Sequence, residues 1–225
     1  MDSWILTAVT FVPLLGAVIA MAMPNDDELH KRWALTVSLV ALGLGIAMLF
    51  DFNYDQAGQL QWVVDEPWID VIGAGYTLGV DGMSLPLIAL TVLVMPLVFL
   101  YSWNHIPSPG NTKSFLILML ILETGMIGTF VAQDLILFFV FFEVVLLPMF
   151  FMIAVWGGDD RRYASLKFFL YTFAGSVFML LAIMAMYWVT GTTSVPVLLE
   201  YDFPVNMQYW LFLGFFASFA VKMPM

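Results

Sequence analysis

The chain has 225 residues, of which 62% are hydrophobic and 11% are charged, and its formal net charge is −10 at neutral pH. An ordinary soluble domain is about 45–50% apolar and about 25% charged, so this composition predicts a protein that lies in a lipid bilayer. Cysteine is absent, which excludes disulfides, iron–sulfur clusters and thiolate metal sites within the chain, and no basic patch indicates a nucleic-acid partner.

Apolar runs follow one another along the chain, and a hydrocarbon core of about 30 Å is crossed by roughly 20 helical residues. We predict an all-α membrane protein, a polytopic helix bundle that forms one transmembrane domain over residues 1–225. Its seven predicted spans cover residues 4–23, 33–50, 82–103, 115–131, 135–156, 164–189 and 207–225. The last run reaches the final residue, so we expect the chain to be truncated within span 7.

Two longer polar links separate these spans. Residues 51–80 are acidic and rich in glycine, and we expect them to lie on the membrane surface with part of them in a short hairpin. Residues 190–206 are also acidic and contain proline. The two histidines, His30 and His105, both fall in predicted loops, so a haem held between membrane helices is not expected.

The basic residues predict the orientation of the chain. Loops on the cytoplasmic side carry an excess of lysine and arginine. This places the links between spans 1 and 2, 3 and 4, and 5 and 6 in the cytoplasm, and the N-terminus outside. Six of the seven basic residues flank these links: Lys31, Arg32, Lys113, Arg161, Arg162 and Lys167.

Three charged residues fall well inside predicted spans, namely Glu123 on span 4, Glu143 on span 5 and Lys222 on span 7. A charge at the centre of a membrane helix costs about 2.5–3.5 kcal/mol on insertion scales, and such residues normally face the bundle interior and mark ion paths. Because residues 132–134 form a short turn, spans 4 and 5 are predicted to be antiparallel neighbours. Both glutamates then lie about 14 Å from the outer face. Two carboxylates at the same depth are what a protonatable pair in a proton path requires. For Glu123, a structural hydrogen bond stays equally open.

Lys222 is predicted about 21 Å from the outer face, somewhat inward of Glu143, within reach through its flexible side chain or one or two waters. We expect this pair to act as an electrostatic switch, in which movement of one partner decides whether the lysine keeps its proton. Pro224 predicts a helix break in mid-membrane, which is typical of a polar cavity. The alternative is a lysine that extends to the inner surface, and this is the favoured interpretation for Lys167.

Four stretches together resemble one known family. They are Gly79-Val-Asp-Gly-Met-Ser-Leu-Pro86, Phe141-Phe-Glu-Val-Val-Leu-Leu-Pro148, Arg162-Tyr-Ala-Ser-Leu-Lys167 and Phe219-Ala-Val-Lys-Met-Pro224. The combination resembles the family of subunit M of bacterial NADH–quinone oxidoreductase and of mitochondrial complex I subunit 4. Related Mrp-antiporter and membrane-hydrogenase subunits share much of it, and the glycine and proline placement around Glu143 favours subunit M.

The resemblance implies the first part of a fourteen-helix antiporter-like fold with two inverted five-helix repeats. It implies a subunit of NADH:quinone oxidoreductase that translocates protons, driven by redox chemistry elsewhere in the complex. No cofactor or metal is expected in this chain, whereas FMN, iron–sulfur clusters and quinone are expected in partner subunits. The expected partners are other membrane subunits, especially neighbouring antiporter-like ones, and the expected location is the bacterial cell membrane.

Carried over by motif, the resemblance makes Glu143 and Lys222 the expected ion pair and gives Lys167 a less defined role at the start of span 6. The sequence departs from the family at Phe142, where tryptophan is frequent. Two other functions stay open: a subunit of an Mrp-type cation/proton antiporter, which has no redox arm, and a passive structural membrane subunit. The buried charges argue against a passive subunit.

Overall fold

A computed structural model describes residues 3–107, 110–223 and 225, with the backbone but not the side chain of Asp70. Helices dominate the described chain. They are α1 (Trp4–Ala22), α2 (Asp27–Asp51), α3 (Ser84–Ser102), α4 (Thr112–Val131), α5 (Leu135–Val144), α6 (Leu146–Trp156), α7 (Arg161–Thr190), α8 (Val195–Glu200) and α9 (Val205–Lys222). Two strands, β1 (Gln61–Ile69) and β2 (Ala74–Val80), lie between α2 and α3.

Within the described residues, six helical segments are long and apolar enough to cross a membrane: α1, α2, α3, α4, α5 together with α6, and α7. They coincide with six predicted spans and confirm the all-α membrane class. At the seventh predicted span, α9 forms a helix of 18 residues. It is not among the six, since Asn206, Gln208 and Lys222 lower its mean hydropathy.

The second helix begins earlier than predicted, at Asp27 instead of residue 33. Asp26 caps it, because its carboxylate accepts hydrogen bonds from the amides of Glu28 and Leu29, which a helix start otherwise leaves unpaired. The first turns are charged, so an argument from hydropathy detects only the apolar part of the helix.

The prediction that His30 lies in a loop was therefore wrong. His30 lies in the first turn of α2, is 2% exposed, and its Nε2 lies 3.0 Å from the carbonyl oxygen of Pro24. His105 lies in a turn after α3, as predicted. Its ring stacks on Tyr101.

Span 5 was predicted as one helix over residues 135–156, but it is interrupted at Val145, between α5 and α6. Pro148 explains the interruption. Its nitrogen carries no hydrogen, so it cannot donate to the carbonyl of Val144, and its ring crowds that carbonyl. Glu143 consequently lies at the C-terminal end of a short helix, not in the middle of a long one.

The predicted hairpin in the first polar link is confirmed, with β1 antiparallel to β2 and Asp65 paired with Thr77. The register shifts between Gln61 and Val64, where Trp62 has a φ of 52°. The hairpin is fixed to the helix bundle, since the amide of Gln133 donates to the carbonyl of Thr77 at 2.8 Å.

Asp81, in the first of the four motif stretches, prepares the start of α3. Its Oδ1 accepts hydrogen bonds from the amide of Met83, at 3.1 Å, and from the amide and hydroxyl of Ser84, at 2.8 and 2.7 Å. Burial raises the pKa of this carboxyl, but the hydrogen bonds from Ser84 and Met83 outweigh burial and hold the pKa below its ordinary value of 3.8. The ionised form is therefore the acceptor for the amides of Met83 and Ser84 at the start of α3.

Asp134 joins three segments at the start of α5, and it is 1% exposed. Its Oδ1 accepts from the amides of Ile136 and Leu137, which begin the helix. Its Oδ2 accepts from the hydroxyl of Thr193, at 2.5 Å, and from the amide of Gly75, at 3.3 Å. One carboxylate thus holds the hairpin, the α7–α8 link and the helix that carries Glu143.

The helices form two packed groups. In the first, α1 packs on α4 and α2, and α2 on α3. Glycine allows α5 to approach α4 closely: a side chain at Gly128 would collide with Phe141, and one at Gly125 with Val145. Spans 4 and 5 are therefore the predicted neighbours. In the second group, α9 packs along α7, and Phe142 of α5 contacts Phe219 of α9.

Candidate functional site

Lys222, the last residue of α9, is held at the end of α5. Its Nζ donates a hydrogen bond to the carbonyl oxygen of Phe142 at 2.9 Å and lies 3.7 Å from the centroid of the Phe142 ring. The C-terminal end of a helix carries a partial negative charge, and an aromatic face attracts a cation. Both features stabilise an ammonium group next to the break at Val145.

Glu143 directly follows the residue that Lys222 contacts. It is half-buried, and its Oε1 is buried without a hydrogen-bond partner. The Nζ of Lys222 and the carboxylate oxygens of Glu143 lie more than 4.0 Å apart. The structure therefore brings the two predicted residues to the same helix end without a direct ion pair. Their pairing stays a prediction.

Glu123 lies elsewhere in the bundle, at the contact between α4 and α2. It is 0% exposed, its Oε1 accepts a hydrogen bond from the hydroxyl of Ser38 at 3.1 Å, and its Oε2 is buried without a partner. No described hydrogen bond joins Glu123 to Glu143 or Lys222. The described residues therefore show no direct contact between this carboxyl and the Glu143–Lys222 site.

Lys167 does not join either carboxyl. It is exposed on the first turns of α7, and its Nζ lies 5.5 Å from the centroid of the Tyr163 ring. This placement fits a side chain that extends to the membrane surface. Pro224, which predicted a helix break after Lys222, lies outside the described residues.

Two partners of the predicted charges were not predicted from the sequence. One is the backbone carbonyl of Phe142, which carries no sequence signal because every residue has a carbonyl. The other is Ser38, for which a weak signal exists: it stands with Ala34, Ala41 and Gly45 on the buried face of α2. Across the described residues, no group of three or more histidine, aspartate or glutamate side chains could hold a metal ion.

Comparison with known families decides the relationship. A family model described as NADH-ubiquinone oxidoreductase chain 4, amino terminus, matches residues 10–129. The chain belongs to this chain 4 family. A second model, described as NADH:quinone oxidoreductase/Mrp antiporter, transmembrane, matches residues 132–225. The resemblance in the four motif stretches is thereby confirmed.

Curated relatives agree with this assignment. The chain is 43% identical to NADH-quinone oxidoreductase subunit M of Rhodobacter capsulatus, over 98% of this chain and 46% of that protein. It is 40% identical to NADH-ubiquinone oxidoreductase chain 4 of Arabidopsis thaliana, over 98% of this chain and 44% of that protein. The chain spans about half the length of the curated relatives it matches.

Solved structures support the fold. A chain of respiratory complex I from Thermus thermophilus with bound NADH superposes with a TM-score of 0.84 and 26% identity, covering 97% of this chain and 44% of that one. A chain of the Mrp complex from Dietzia sp. gives a TM-score of 0.80 at 18% identity, covering 97% of this chain and 23% of that one. The second likeness concerns the fold alone.

Proposed function

We propose that this chain acts in an NADH–quinone oxidoreductase as a proton-translocating membrane subunit, and that Glu143 and Lys222 carry the proton step. One observation supports the pair above all: the Lys222 ammonium is docked on the carbonyl of Phe142, one residue before Glu143. In this proposal, rotation of the lysine side chain carries its ammonium from the Phe142 carbonyl to the Glu143 carboxylate. Glu123 is a second protonatable group in this proposal.

The distance between the Lys222 ammonium and the Glu143 carboxylate controls the energy of proton transfer in this proposal. Two unit charges 4 Å apart attract by about 4 kcal/mol at an effective dielectric constant of 20, which corresponds to roughly a thousandfold change in a proton-transfer equilibrium. Bringing the ammonium to the carboxylate favours the charged pair, and separating them favours transfer of the lysine proton. The break at Val145 places this exchange at a helix end. Small movements of the backbone are easier there because they do not require a continuous helix to bend.

The driving reaction belongs to other subunits in this proposal. The chain has no cysteine and therefore supplies no thiolate ligand for iron–sulfur clusters. FMN, clusters and quinone would reside in partner subunits, and other membrane subunits, particularly antiporter-like ones, would lie beside this chain. The cell membrane of a bacterium is the proposed location, with the N-terminus outside.

A second candidate is a subunit of an Mrp-type cation/proton antiporter, favoured by the description of the family model over residues 132–225. Such a complex would use similar buried charges without a redox arm. Purification of the native complex distinguishes the two functions, because flavin and iron–sulfur clusters accompany only the oxidoreductase.

The Glu143→Gln variant tests the proton step. Glutamine keeps the shape and hydrogen-bonding capacity of the side chain but removes the titratable group, so assembly should be preserved and most proton pumping lost. Pumping is measured in vesicles that contain the full complex. Glu66→Gln, at an exposed position on β1, is the matched control and should pump normally. Pumping by Glu143→Gln within about twofold of normal, or ~0.4 kcal/mol in barrier height, would exclude the assignment.

A further inference from the structure

The contact between Ser38 and Glu123 is unusual within this bundle. Both residues are 0% exposed, and the serine Oγ donates to Oε1 across the α2–α4 contact at 3.1 Å. In the described part of the chain, no other hydrogen bond joins a side chain of one membrane-crossing helix to a side chain of another. It therefore has no counterpart that could share its role.

Ser38 departs from what hydroxyl side chains usually do in a helix. Serine and threonine often donate to the carbonyl one turn earlier in the same helix. Buried hydroxyls that do so here are Thr10, Thr124, Ser165, Thr172 and Ser176. Because a serine hydroxyl has a single proton to donate, the proton that Ser38 gives to Glu123 is unavailable to its own helix.

The surroundings of Ser38 bring the two helices together. Ala34 and Ala41 lie on the same buried face of α2, one turn to either side of Ser38, and both belong to clusters that contain residues of α4. Small side chains permit close approach between membrane helices. Alanine would satisfy the same packing at position 38. The hydroxyl is therefore explained by its partner on α4 and not by the space it fills.

We propose that Ser38 is a positioning residue for Glu123. Its hydroxyl fixes Oε1 as a hydrogen-bond acceptor and leaves Oε2, which has no partner, as the oxygen that carries the carboxyl proton. Ser38 thereby sets the orientation in which Glu123 takes up and gives off that proton. The functional part of this inference rests on the proposed proton translocation, whereas the contact itself can be measured separately.

Infrared difference spectroscopy of the full complex tests the contact. The carboxyl band of Glu123 is identified by its absence in Glu123→Gln. In Ser38→Ala the carbonyl oxygen loses its donor, so this band should move to higher frequency. In Ser38→Cys, whose thiol is a weak donor of similar size, the band should lie between those of the native protein and the alanine variant.

Pumping is measured on the same preparations. Loss of one neutral hydrogen bond predicts about a two- to tenfold decrease for Ser38→Ala, and no further decrease when Ser38→Ala is added to Glu123→Gln. The matched control is Ser176→Ala, a buried hydroxyl bonded to its own helix at the carbonyl of Thr172. It should leave the Glu123 band unchanged.

The outcomes separate the inference from the proposed function. An unchanged Glu123 band in both Ser38 variants, or the same shift in Ser176→Ala, would overturn the positioning role. A shifted band together with normal pumping by Glu123→Gln would support the contact but remove Glu123 from the proton path. If Ser38→Ala does not assemble, the position of the Glu123 band in Ser38→Cys alone tests the positioning role.

Discussion

At the scale of single residues, Lys222 is held by groups that do not titrate. The carbonyl and the ring of Phe142 attract the ammonium without accepting its proton. A carboxylate in the same place would stabilise the charge and could also take the proton. Phe142 therefore stabilises the ammonium, and a different group has to receive its proton.

Substitutions of Lys222 test whether its proton is released. A guanidinium is effectively always charged and cannot give up a proton, whereas methionine has no charge. We expect Lys222→Arg to assemble better than Lys222→Met, because it preserves a donor for the Phe142 carbonyl, and yet to pump poorly. The measurements are the yield of intact complex and proton uptake by vesicles. Full pumping by the arginine variant would show that lysine deprotonation is not part of the mechanism.

Charges could be predicted from the sequence because they stand out in apolar runs. Glu123, Glu143 and Lys222 needed no structure to be singled out. Their partners could not be predicted in the same way, since a carbonyl is present at every position and a serine is common in membrane helices. Which partner a charge meets depends on helix rotation and close packing, and the period that would reveal the rotation is weak in helices that are apolar on all sides.

At the scale of helices and strands, the break at Val145 is the feature that positions the site. Hydropathy predicted the span over residues 135–156 but averaged across the interruption. It also missed the charged first turns of α2, where the cap at Asp26 and not apolar content sets the boundary. Lengths of apolar runs thus predict which segments cross the membrane, while the capping carboxylate of Asp26 sets the start of α2 and Pro148 sets the break between α5 and α6.

Replacing Pro148 by alanine tests the function of the break. Alanine restores the amide that can donate to the carbonyl of Val144, and removes a penalty of about 3 kcal/mol for proline inside a helix. We expect a continuous helix, seen as slower hydrogen exchange around Val145, together with reduced pumping. Pro13→Ala is the control, because Pro13 lies inside α1. Normal pumping with slowed exchange would mean that the break has no part in proton transfer.

At the scale of the whole molecule, the orientation in the membrane determines which end of the site meets which compartment. The basic residues predict that the α3–α4 link faces the cytoplasm and the hairpin faces outside. The native chain has no cysteine, so single cysteines report the orientation without background from this subunit. Asn104 and Glu66 are exposed, and they lie on the two links that are predicted to face opposite sides of the membrane.

We expect Asn104→Cys to react with a membrane-impermeant maleimide only from the cytoplasmic side, and Glu66→Cys only from outside. Both variants are labelled in right-side-out and inverted vesicles, and each serves as the control for the other. Reversed labelling would place the N-terminus in the cytoplasm and overturn the predicted orientation.

The carboxylate of Asp134 has a consequence for the timing of biosynthesis. Its Oδ2 binds Gly75, made 59 residues before it, and Thr193, made 59 residues after it. At about 5–20 residues per second, roughly 3–12 s pass between synthesis of the acceptor and of its second donor. During that interval the hairpin can dock on an aspartate that is only partly satisfied. The hydrogen bond from Thr193 forms only when the segment after α7 emerges. The order of synthesis therefore sets the order in which these contacts form.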